Sequence, residues 1–114
     1  MKIYLNPVKE NWIIDRVKKE WITFNKNITS NYLFNSEIIW IIAPWTWKKI
    51  SKKQLRNKLV VCSIYHIDEE KFDESQLFEF QQRDKYVDKY HVISKKTEQQ
   101  VKNLTDKPIF TKPF

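Results

Sequence analysis

The 114-residue sequence predicts one α/β domain, a three-layer sandwich built on a mainly parallel sheet. Two observations carry that expectation. Apolar, β-branched runs such as Glu37–Ala43 (EIIWIIA) and Leu59–Ile64 (LVVCSI) lack the alternation of a half-wet strand. Such continuity marks strands buried on both faces of a parallel sheet. Stretches of helical periodicity separate the strand-like runs and alternate with them at least four times, as the crossovers of a parallel sheet require.

Lys2–Leu5 (KIYL) is the first short strand. Asn6-Pro7 then opens a helix, because Asn can cap free N–H groups and Pro at the first helical position needs no donor. Ile13, Val17, Trp21 and Phe24 recur at spacings of four, four and three, which predicts an inward stripe running to about Asn25. Lys18, Lys19 and Lys26 fall near its C-terminal end, where the helix dipole favours cations. Asn27–Asn35 lacks periodicity and reads as a loop with room for a short strand or turn. Glu37–Ala43 is the second clear strand, ended by Pro44. Ile50–Asn57 is a short basic helix and Leu59–Ile64 the next strand. Glu74–Lys85 is a helix with Leu77, Phe78 and Phe80 facing inward. Tyr90–Ile93 is a strand, Ser94 an N-cap, Lys95–Leu104 a helix and Pro108–Phe110 a last strand.

Composition narrows the chemistry. Glycine is absent, against a usual share of about 7%, so no glycine-rich phosphate loop can form. A phosphate would have to be held by a helix N-terminus or by side chains. Cys62 is the only cysteine and lies inside an apolar run; it allows no internal disulfide or cysteine metal cluster, and it reads as a buried, inert thiol suited to a reducing cytoplasm. The two histidines, His66 and His91, have no metal-ligand spacing, so no metal is expected. No apolar stretch reaches the roughly 20 residues of a membrane-spanning helix, and the N-terminus carries no apolar signal-peptide core.

The charge is unevenly placed. Residues 1–57 hold eleven Lys/Arg against four Asp/Glu, which accounts for the whole net charge of +7, and residues 58–114 hold ten of each. The basic patch Lys48, Lys49, Lys52, Lys53 and Arg56 follows Trp45 and Trp47. It suggests an anionic partner, with a solvated lysine-rich face as the plain alternative.

In an open parallel sheet, ligands collect at the carboxyl ends of the strands. Asn6, Trp45-Thr46-Trp47, Tyr65-His66-Asp68 and Ser94 would all fall on that edge. His66 can serve as a general base, oriented by Asp68 or Glu69. His91, inside YHVIS, reads as a packed histidine. Trp45 and Trp47 can offer apolar faces to a sugar ring or anchor at a membrane interface, or pack over the sheet end. The run Asp68, Glu69, Glu70, Asp73, Glu74 reads as a solvated acidic loop.

Lys85–Phe114 (KYVDKYHVISKKTEQQVKNLTDKPIFTKPF) resembles the segment that closes the N-terminal domain of GT-B glycosyltransferases, the large retaining family of bacterial sugar transferases (group 1, family 4). The shared pattern is Asp88, Ser94, Thr97 and the strand PIFTKPF. VVCSIYHIDEEKFD is similar to the family strand that brings a histidine to the cleft, and IIWIIAPWTW to the strand before it. The glycine-rich loop usual after the family's first strand is replaced here by NPVKEN, so donor-phosphate contacts from that loop are not expected.

The resemblance implies a Rossmann-like, acceptor-side domain over residues 1–114, half of a two-domain enzyme transferring a hexose from a nucleotide-sugar to a cell-envelope glycan or lipid-linked acceptor. It implies no cofactor for this chain, since the nucleotide-sugar would bind mainly a missing C-terminal domain, and this half alone would be inactive. His66 would be the catalytic group beside the acceptor. Tyr65 and Asp68 would shape its pocket, Trp45 and Trp47 would contact acceptor or membrane, and Asn6 and Ser94 would be helix caps near the cleft. The expected location is cytoplasmic, with peripheral contact at the inner membrane face, and nucleic acid is not an expected partner of such an enzyme. The rival expectation is a stand-alone module docking on an anionic membrane or nucleic acid through the basic first half. A signalling receiver domain is disfavoured because no acidic cluster follows the first strand.

Overall fold

A computed structural model describes residues 2–6, 12–30 and 32–113. Six parallel strands form one sheet: β1 (Ile3–Leu5), β2 (Thr29–Ser30), β3 (Ile38–Ile41), β4 (Leu59–Ile64), β5 (Lys89–Val92) and β6 (Ile109–Thr111), in the order β2-β1-β3-β4-β5-β6. The order reverses between β1 and β3, so that pair forms the switch point of a Rossmann-like sheet. The helices are α1 (Trp12–Phe24), α2 (Lys52–Asn57), α3 (Glu74–Asp84) and α4 (Lys95–Lys102), with short 3₁₀ turns at Lys26–Ile28, Leu33–Asn35 and Pro44–Lys49.

Side-chain alternation along the strands divides the core between two faces. Ile39 and Ile41 of β3, Val60, Cys62 and Ile64 of β4, and Tyr90 and Val92 of β5 face one side. There Leu55 of α2, Phe80 of α3 and Val101 of α4 close over them. Leu5, Trp40 and Tyr65 face the other side, against Trp21 and Ile22 of α1. Helices on both faces make the three layers. Among the described residues the second face is only partly covered: beside α1 lies an open groove of about 530 Å³ whose walls include Trp21, Phe24, Trp40, His91, Phe110 and Lys112.

The middle of that face carries polar groups satisfied by one another. Trp40 Nε1 donates to Ser63 Oγ at 2.8 Å, and Ser63 Oγ lies 2.8 Å from His91 Nδ1. His91 Nε2 lies 2.7 Å from the Lys112 carbonyl oxygen. A carbonyl can only accept, so Nε2 carries the proton and Nδ1 accepts from the Ser63 hydroxyl. The neutral imidazole is thereby wired in one direction, and burial holds its pKa below the ordinary histidine value. His91 is a packed sheet-face residue, as its apolar surroundings in the sequence suggested.

Glycine is absent and no described residue has a positive φ. The turns use 3₁₀ geometry and side-chain caps instead: Ser51, Asp73 and Ser94 each accept the backbone N–H three residues ahead. At the amino edge of the sheet, Asp88 Oδ2 accepts the Val60 N–H at 2.8 Å, pinning the start of β4 to that of β5.

Two inward assignments are corrected. Phe24 is 84% exposed and Phe78 63% exposed. Phe80 supplies the α3 anchor and stacks on Tyr90 with ring centroids 5.5 Å apart. The helix opening expected at Asn6-Pro7 falls on residues 7–11, outside the described residues, as do the side chains of Ile13 and Val17.

Candidate functional site

Because every strand pair is parallel, the residues after β1, β3, β4 and β5 do share one edge. They divide there into two groups with different characters.

The first group sits at the switch point and is closed. Asn6 and Thr46 are buried. The Asn6 amide donates to the Thr46 carbonyl oxygen at 2.8 Å and to Thr46 Oγ1 at 2.6 Å, while Thr46 Oγ1 donates to the Ala43 carbonyl at 2.7 Å. This ties the end of β1 to the 3₁₀ turn after β3. Trp47 is also buried: its indole N–H donates to Glu79 Oε1 at 3.1 Å, and its ring lies 5.9 Å from that of Tyr86. Trp47 is therefore core, which corrects the expectation that it contacts acceptor or membrane. Trp45, 46% exposed, keeps a surface to offer.

The second group is open. A depression of about 450 Å³ is lined by His66, Asp68, Ser94, Lys96, Thr97 and Gln100, among others. Ser94 caps α4 by accepting the Thr97 N–H at 3.2 Å, and its hydroxyl donates to Thr97 Oγ1 at 3.1 Å. Thr97 Oγ1 in turn donates to the Tyr65 carbonyl at 3.2 Å. Gln100 Nε2 donates to the Ile67 carbonyl at 3.0 Å and to Glu69 Oε1 at 3.2 Å. The loop carrying His66 is thus fastened to one flank of α4.

Tyr65 shapes the depression through its backbone. Its side chain packs into the second-face core, its hydroxyl donates to the Ile42 carbonyl at 2.5 Å, and burial raises its pKa well above the usual tyrosine value. His66 is exposed, and among the described residues its ring has no hydrogen-bond partner. The carboxylate expected to orient it is engaged elsewhere: Asp68 Oδ1 accepts the Glu70 N–H at 3.1 Å, and Glu69 faces Gln100.

The lining therefore mixes donors and acceptors: His66, Lys96 and the N-terminal end of α4 together with Asp68, Glu69 and Glu70. A rim of both signs suits a neutral, hydroxyl-rich ligand better than a polyanion. Lys96 and Gln100 were absent from the sequence-based site. Only the α4 periodicity from Ser94 places positions 96, 97 and 100 on one flank, and that becomes meaningful once β4 is known to end beside it.

Cys62 is buried, and desolvation pushes its thiol up to about 11, so it offers no nucleophile. Among the described residues no cluster of His, Cys, Asp or Glu could hold a metal ion, and no helix is long and apolar enough to cross a membrane. Comparisons with protein-family models, with curated proteins and with solved structures return no match for this chain.

Proposed function

We propose that this chain is the acceptor-side domain of a two-domain sugar transferase, and that the depression around His66 receives a glycan or lipid-linked acceptor. The observation that carries the reading is the pairing of an exposed histidine with a mixed-sign polar rim at the carboxyl edge of a parallel sheet. The Asp88, Ser94, Thr97 pattern supports it through the family resemblance described above.

In the proposed reaction, an acceptor hydroxyl forms a C–O bond to the anomeric carbon of a nucleotide-sugar. The bond to the diphosphate breaks and the diphosphate leaves with the electron pair. The hydroxyl proton passes to His66. Ser94 and Thr97 act by holding the 65–69 loop against α4. The donor sugar-nucleotide belongs to a second domain under this reading.

Equilibrium binding and product assays test it. The purified chain is expected to bind a soluble neutral oligosaccharide acceptor, to bind it at least tenfold more weakly as His66→Ala, and to form no product with any nucleotide-sugar. Turnover by the chain alone, or an affinity indifferent to His66→Ala, overturns the proposal.

A further inference from the structure

We propose that the surface formed by Trp45, Lys49, Lys52 and Lys53 docks on an anionic lipid membrane. The 3₁₀ turn Pro44–Lys49 and α2 are held down by three buried anchors, Trp47, Ile50 and Leu55. With those facing the core, Trp45, Lys48, Lys49, Lys52, Lys53 and Arg56 are all exposed. The basic residues are thus carried by anchored, folded elements rather than by a tail.

The charge on it is one-sided. From residue 38 to residue 67 there is no Asp or Glu, and six Lys or Arg fall in that stretch. Lys58 is turned into the fold, where its ammonium donates to the Ser36 carbonyl. Lys48 is paired with Glu79 at 2.8 Å. Arg56 lies over the Tyr86 ring at 5.7 Å. Among the described residues Lys49, Lys52 and Lys53 have no such partner, and they supply the outward field.

The chemistry of the patch favours lipid over nucleic acid. Its outward cations are lysines, which meet head-group phosphates as point charges; base reading uses the planar fork of Arg. One half-exposed indole beside them suits the headgroup layer, where Trp partitions with its ring in apolar surroundings and its N–H in water. Single-strand binding would call for a series of exposed rings along a groove.

The inference does not rest on sugar transfer, and the two are separable. The purified chain is mixed with phosphatidylcholine vesicles with and without a quarter of phosphatidylglycerol, and co-sedimentation and tryptophan emission are followed. Binding is expected only to the anionic vesicles, with a blue shift that Trp45→Ala abolishes and an affinity that falls with added salt. Each Lys→Gln change at positions 49, 52 and 53 is expected to weaken binding about fivefold, and the triple change roughly a hundredfold. The triple Lys→Arg variant retains binding, and His66→Ala leaves it unchanged. Equal binding to both vesicle types, no loss in the triple Gln variant with an unaltered circular dichroism spectrum, or binding to a random single-stranded oligonucleotide in place of vesicles would each overturn the inference.

Discussion

Thr97 Oγ1 donates to the backbone carbonyl of Tyr65 at 3.2 Å, joining the first turn of α4 to the loop after β4. The same hydroxyl accepts from Ser94, so one side chain connects the helix cap to the segment that carries His66. Thr97→Val keeps the volume and removes the hydroxyl. It is expected to cost about 1 kcal/mol in urea unfolding, and Thr97→Ser to restore most of it. A Thr97→Val domain as stable as the parent would show that the loop is held by other contacts.

The two tryptophans flanking Thr46 should separate cleanly. Trp47→Ala opens the first-face core beside Tyr86 and is expected to cost roughly 3–5 kcal/mol. Trp45→Ala, on the surface, is expected to change stability by no more than about 0.5 kcal/mol. Paired denaturation curves decide it, and similar losses for both would contradict the burial difference.

Ser63 sits between Trp40 and His91 on a face with few other polar groups. Ser63→Ala deprives the Trp40 indole N–H of its acceptor and is expected to destabilise by about 1–3 kcal/mol. Ser63→Thr keeps the hydroxyl and should lie closer to the parent if its methyl is accommodated.

Acid sensitivity near neutrality should come from His91. Burial holds its folded pKa below the unfolded value of about 6.5, so the unfolded chain binds the proton more readily. Its contribution is fully present above that unfolded value and is lost as pH falls toward and through the folded pKa. Glu37, Glu79 and Glu98 are held low by the Lys2 backbone N–H, by Lys48 and by Lys102 respectively. Their contributions are lost only at lower pH, from about 4.5 downward. The thermal midpoint is therefore expected to fall as pH drops below about 6.5, and His91→Gln to flatten that segment. An unchanged slope in the variant would assign the effect elsewhere.

The strands were legible where packing leaves little choice. The run LVVCSI marks β4 at Leu59–Ile64 because a continuous apolar run of this length suits a largely buried strand, and Val60, Cys62, Ser63 and Ile64 are indeed buried. The Ser94 cap was equally plain, since a serine before a helical stripe has a backbone N–H to accept. The two-residue β2 is too short for any periodicity to mark. Phe24 and Phe78 fit a helical stripe, yet both are largely exposed, and the sequence of one helix does not say how far its neighbours reach. The candidate site was half legible. Strand ends named Tyr65, His66, Asp68 and Ser94, but the buried Asn6–Thr46 link spans forty residues and depends on which strands become neighbours. Local sequence likewise could not tell Trp45 from Trp47, because a single turn sends one outward and the other inward.

A map of amide chemical shifts during titration with a soluble neutral oligosaccharide decides whether the depression around His66 receives an acceptor. Perturbations are expected at His66, Ser94, Lys96, Thr97 and Gln100, and their loss in His66→Ala. Perturbations confined to the groove between Trp21 and Phe110, or none at saturating ligand, would contradict that reading.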